Sequence, residues 1–191
     1  SEFFATSPPQ EYTFISNNNW INLLAIHEFR HLVQTEKALS KPINKLVYLL
    51  FGENAFRALG SASIPFWFWE GDAVDTETRL TNYGRGREPS FLRTIKSNVN
   101  SFSPFSYYKH TLGSYKYKTP NEYESGYVIT RYIKENYGVG VFNTIIDKTF
   151  SQSLTPFPFV RNLKKETGLN LQNLYKKSFK NFVIVDKKND S

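Results

Sequence analysis

The pentapeptide His27-Glu28-Phe29-Arg30-His31 places two imidazoles four residues apart with a carboxylate beside the first. Side chains four apart lie on one face of a helix, so His27 and His31 can grip a single metal ion while Glu28 projects toward a water on that ion. This HExxH arrangement is the chemistry of a zinc hydrolase. A chance match in a chain of this length is on the order of one in a hundred, so the motif carries weight only with a third ligand. The chain has no cysteine and one further histidine, His110. The third ligand must then be His110 or a carboxylate. Glu70 is the carboxylate that stands out, because it follows Pro65-Phe66-Trp67-Phe68-Trp69, where an unpartnered charge is costly and a metal would satisfy it.

The elements that position these groups read mainly as helices. Residues 1 to 16 alternate in a way that predicts one or two strands, and Asn17 to Asn19 offer caps for a helix from Trp20 through Gln34. Ser40-Lys41-Pro42 opens a second helix whose apolar positions, Ile43, Leu46, Val47 and Leu50, predict a buried packing element fading near Gly60. Pro65 opens a third helix running through Glu77. Asn82 to Ser90 reads as a loop, Phe91 to Asn98 as a short helix, and residues 101 to 120 as a long aromatic connection suited to a cleft wall. Thr119-Pro120-Asn121-Glu122 has the pattern of a capping box and starts a helix closing at Gly138. Helices over Val141–Phe150, Phe159–Glu166 and Leu171–Phe182 complete the chain, with a charged tail from Asp186. The expected fold is mainly α (α+β): one domain over residues 1–185 with a small N-terminal β element, a helical C-terminal part and a disordered tail over 186–191.

A chain of 191 residues can bury a core as one domain. No apolar run approaches the roughly twenty residues needed to span a bilayer. The charge of +7, from 24 Lys and Arg against 17 Asp and Glu, is spread along the chain without a nucleic-acid motif, so solvated helix faces account for it. The opening Ser1-Glu2-Phe3, without Met, predicts that the natural protein is longer and that any signal region lies upstream.

HEFRHLVQ, followed 39 residues after His31 by FWFWEGDAV, resembles the gluzincin metallopeptidases, whose third ligand is a Glu on a later helix. More narrowly it resembles the bacterial peptidase MA-like branch, in which a proline and aromatics precede an E-G-x-A helix. Tyr123-Glu124-Ser125-Gly126-Tyr127 through Tyr137-Gly138, and the Leu-Lys-Lys-Glu-Thr-Gly stretch before the last helix, are similar to that branch as well. The likeness spans about Pro8 to Phe182.

The resemblance implies a zincin-like fold and a Zn2+-dependent peptidase acting on peptide or protein substrates, with His27, His31 and Glu70 as ligands and Glu28 as general base. Tyr123 and Tyr127, one turn apart, are both candidate donors to the tetrahedral oxyanion, with His110 a third. Some gluzincins carry an Asp four residues after the ligand Glu to hold a ligand histidine; here that position is Val74, which leaves Asp72, Asp75 and Glu77 as candidates. Arg85 and Arg87 suit a substrate carboxylate or carbonyl, or an ordinary exposed turn. Arg30 suits a neighbouring acid, and Trp67 and Trp69 read as core flanking the site. The resemblance also implies export to the periplasm, cell envelope or medium. Two other readings compete: a metal-binding scaffold without turnover, against which the intact Glu28 argues, and a helical domain with an accidental HExxH, against which Glu70 argues.

Overall fold

The computed structural model describes residues 20–101 and 106–189. Among these residues the protein is helical, with α1 at Trp20–Leu39, α2 at Pro42–Ser63, α3 at Phe66–Leu80, a 3-10 turn at Arg85–Arg87, α4 at Pro89–Ser101, α5 at Tyr107–Leu112, α6 at Glu122–Asn136, α7 at Val139–Ser151, α8 at Pro158–Thr167 and α9 at Leu171–Asn189. The mainly α expectation holds. The strands expected over residues 1 to 16, and the Asn17 to Asn19 cap, lie outside the described residues. No described helix is long and apolar enough to cross a membrane.

At the centre lies α3, buried over most of its length, with Phe68, Ala73 and Val74 in the core and the rings of Trp67, Phe68 and Trp69 packed against those of Phe159, Phe142 and Phe150. Its closest neighbour is α6, and two glycines set the distance. A Cβ on Gly71 would stand 2.0 Å from the carbonyl carbon of Gly126, and a Cβ on Gly126 would stand 2.0 Å from the carbonyl oxygen of Trp67. The two backbones touch at this crossing, and no other residue type fits either position without forcing the helices apart.

A helix that buries Glu70, Asp72, Asp75 and Glu77 must find partners for four carboxylates. Asp72, fully buried, accepts from Arg30 Nε at 2.8 Å, Gln34 Nε2 at 2.9 Å and Lys134 Nζ at 2.8 Å. Asp75 accepts from the same Lys134 at 2.6 Å and from Arg79. Burial opposes the charge of Asp72, but Lys134 and Arg30 outweigh it and hold its carboxyl below the ordinary range. These pairs fasten α1 and α6 to α3, and they dispose of Arg30, Asp72 and Asp75 as internal ties.

Several local expectations change. The apolar positions of α2 do not form a buried face: Leu46, Leu49, Leu50 and Phe51 are exposed, and the helix is bent at Gly52, whose φ is +82°. Polar contacts hold its ends instead, with Asn44 donating to the carbonyls of Ala38 and Phe150 and Ser63 donating to that of Ser153. The capping box of α6 is Asn121 with Glu124, two residues later than Thr119 and Glu122, because Asn121 occupies the N-cap and the side chain of Glu124 accepts from its backbone N–H. The connection over 101 to 120 contains α5, and α9 continues through Asp186 to Asn189.

Gly126→Ala is expected to lower stability by about 3 kcal/mol, the upper range for overpacking, and the melting temperature by about 10 °C. Calorimetry on Gly126→Ala and on Gly140→Ala, whose added Cβ meets nothing within 4 Å, would separate the crossing from a general glycine effect.

Candidate metal centre

The middle of α1 faces α3 between Glu70 and Glu77. His27, His31 and Glu70 bring three donor atoms together: His27 Nε2 lies 3.1 Å from Glu70 Oε2 and 3.2 Å from His31 Nε2, and His31 Nε2 lies 3.5 Å from the same Glu70 oxygen. Donors about 2.0 to 2.1 Å from one tetrahedral centre are roughly 3.3 Å apart, so the spacing matches a zinc-sized cation. They are the three residues whose donor atoms group closely enough to hold an ion among the described residues.

Each imidazole is held from behind. His31 Nδ1–H donates to Gln34 Oε1 at 2.9 Å, while the Gln34 amide donates to Asp72 and to the Trp69 carbonyl. His27 Nδ1–H donates to Glu77 Oε2 at 3.1 Å. Those partners assign the tautomers and turn both Nε2 lone pairs toward Glu70. Three electron-rich atoms then face one another, and a cation, metal or proton, has to sit among them.

Glu77 is fully buried and is itself clamped by Arg85, whose Nε lies 2.7 Å from Oε1 and whose Nη2 lies 2.9 Å from Oε2. Arg85 Nη2 also approaches His27 Nδ1 to 2.6 Å; neither can accept from the other in this tautomer, so both converge on the Glu77 oxygens. Of the three acids proposed to hold a ligand histidine, Glu77 does so directly and Asp72 through Gln34, whereas Asp75 belongs to Lys134 and Arg79. Arg87 is not at the site: it donates to the carbonyls of Thr78 and Thr81 at the C-terminal end of α3. Gln34 escaped the sequence reading, although its place three residues after His31 put it on the adjoining turn.

The electrostatics follow. Burial opposes the charge of Glu70, but its interactions with the His27 and His31 imidazoles outweigh it and lower its carboxyl to about 2. Burial works against protonation of His31, yet Glu70, Gln34 and the Glu28 charge raise its pKa above the ordinary value. For Glu77, burial is likewise overcome by His27 and Arg85, and its carboxyl is lowered.

Glu28 lies at the junction of two cavities and makes no hydrogen bond or ion pair among the described residues. One cavity, about 120 Å³, is bounded by Leu23, Leu24, Glu77, Arg85 and Tyr123 together with His27; the other, about 590 Å³, opens beside His31 and Glu70. The Tyr123 ring centroid is 6.0 Å from that of His27, with the Arg85 guanidinium 5.1 Å from the Tyr123 ring. Burial, with the nearby Glu70 charge, pushes the Tyr123 hydroxyl up to about 12, so it remains a proton donor at neutral pH.

The other two candidate donors are placed elsewhere. Tyr127 is fully buried, and its hydroxyl accepts from Arg131 at 2.6 Å and donates to the Gly86 carbonyl at 3.4 Å. His110 is buried against Tyr175, 2.9 Å from its hydroxyl, with burial lowering its pKa to about 4, and it lines a separate cavity with Trp67 and Phe159. The structure thus brings together His27, Glu28, His31, Glu70 and Tyr123, and not Tyr127, His110 or Arg87.

No known protein family, curated protein or solved structure matches the chain significantly. The gluzincin resemblance therefore rests on the sequence motifs alone.

Because a metal must displace the proton that His31 and Glu70 otherwise share, affinity for zinc is expected to weaken as pH falls through the raised His31 pKa, above the ordinary 6.5. Competition titrations at about pH 8 and about pH 6 check the direction. Glu77→Gln should weaken zinc binding by about tenfold or more; unchanged affinity would show that the Glu77–Arg85 clamp does not position His27.

Proposed function

We propose that the chain is a zinc-dependent peptidase of the gluzincin type, in which His27, His31 and Glu70 hold the metal and Glu28 is the general base. One observation carries the reading: three converging lone pairs at tetrahedral spacing stand beside a carboxylate that has no partner among the described residues and lies at the meeting of two cavities. When bound, zinc would supply Lewis acidity, polarising a carbonyl and lowering the pKa of a water toward neutrality. Glu28 accepts the proton of the attacking water and later delivers it to the departing amine. Tyr123, kept protonated, donates its hydroxyl to the oxyanion that forms on the scissile carbonyl. Glu77, clamped by Arg85, and Gln34, tied to Asp72, keep the two imidazoles in the tautomer that the metal needs.

The purified protein is expected to hold about one zinc per chain and to cleave peptides in a chelator-sensitive way. Glu28→Gln should keep the zinc and lose about a thousandfold in kcat/KM. Retained zinc with no cleavage by the unaltered chain would instead identify a metal-binding scaffold. Tyr123→Phe should lower kcat about a hundredfold or more with a small change in KM, while the same change at Tyr127 should act through stability alone.

A further inference from the structure

The two cavities that meet at Glu28 differ in size and chemistry. The smaller, about 120 Å³, presents Arg85, Glu77 and Tyr123 and has room for little beyond backbone or a small side chain. The larger, about 590 Å³, begins at Glu28, His31 and Glu70 and runs between α1 and the second half of α2, with walls formed by Leu32, Ala38, Phe56, Phe66 and Trp69. Its one cation, Arg57, already pairs with Glu53 one turn away on the exposed side of α2. Volumes of several hundred Å³ with apolar walls and a few convergent polar groups are the usual form of a ligand pocket.

Two features show where its size is set. Gly60 on α2 leaves part of the wall without a side chain, and a Cβ added there would meet only the Trp69 ring, at 3.8 Å. Phe66, one helical turn before Glu70, stands 61% exposed at the opening. An apolar ring left in water beside the ligands is covered once an apolar group enters the cavity.

We propose that this cavity takes a large apolar side chain, aliphatic or aromatic, from a peptide residue beside the scissile bond, and that Gly60 and Phe66 set the preference. The inference rests on the peptidase reading and adds to it the substrate class. α2, which in chain order follows the helix of the two histidines and precedes the helix of Glu70, is then the specificity element: Phe56 and Gly60 bring an apolar wall to a centre that α1 and α3 alone would leave open. The far cavity, with its charged and hydroxyl groups, accommodates the small or polar neighbour.

The test is cleavage of a peptide mixture by the zinc-loaded protein, with zinc content and melting temperature measured for every variant. Peptides with Leu, Phe or Trp at one of the two positions flanking the cleaved bond should be preferred over those with Ala by roughly ten- to a hundredfold in kcat/KM. Gly60→Leu should lower kcat/KM for the large residues at least tenfold and leave the Ala peptides within about threefold. Gly60→Ala should behave as the unaltered chain. Phe66→Ala, at an exposed position where misfolding is not at issue, should reduce the large-over-small ratio by about threefold or more. Zinc-dependent cleavage indifferent to side-chain size, or a Gly60→Leu protein that loses all substrates equally while keeping its zinc and its melting temperature, would overturn the pocket and leave the peptidase reading standing. A chain that binds no zinc and cleaves no peptide would overturn both.

Discussion

The contact on which the rest depends is the backbone crossing of α3 and α6 at Gly71 and Gly126. Two glycines let the helices approach until backbone meets backbone, and that proximity helps bury α3 from Trp67 to Thr78. Glu70 immediately precedes one glycine, and Tyr123 lies one turn before the other. The close approach therefore delivers Glu70 and Tyr123 to the same place. A wider crossing would leave α3 half solvated, and its four acids would need no partners.

Because the crossing buries α3, its carboxylates decide what packs around it. Glu70 faces the two imidazoles, Asp72 and Asp75 share Lys134, and Glu77 takes Arg85 with His27. Buried ion pairs add little net stability, because desolvation offsets most of their attraction, yet removing one partner from such a pair is expensive. Their effect here is to fix register. Arg30 and Gln34 can reach Asp72 only with α1 in one position along α3, and in that position His27 and His31 face Glu70.

What the sequence disclosed was local. The four-residue spacing of His27 and His31, and an acid set among tryptophans, point to a metal trio without any knowledge of the fold, since one helical turn and one desolvated charge are enough. Pairwise facts were hidden. Nothing in either segment alone says that Gly71 will meet Gly126. Tyr123 and Tyr127 share a helix face, and the choice between them comes from Gly86, where a Cβ would stand 2.3 Å from the Tyr127 ring, so the 3-10 turn seals that tyrosine into the core. The apolar period of α2 predicts burial that no described neighbour supplies, and the capping box pattern fits two overlapping frames, of which the structure uses the one led by Asn121. Gln34 could be recognised only with Asp72 in view.

That the acid behind His27 stands seven residues past Glu70, and not four, follows from how the two helices run. Along α1 the contacts pass from His27, which touches Glu77, to Gln34, which touches the Trp69 carbonyl, so α1 and α3 are antiparallel here. His27 lies toward the C-terminal end of α3, with Nε2 on Glu70 and Nδ1 on Glu77. An imidazole laid along the axis needs its second acceptor farther down the helix, and seven residues, about 10.5 Å of rise, returns to nearly the same face as four does. The longer glutamate closes the remaining gap, and Arg85 from the following turn neutralises a charge that would otherwise be buried beside the ligand. Val74, four residues past Glu70, lies in the core. The outer shell of the site and the packing of α3 are thus one solution to the same placement of α1.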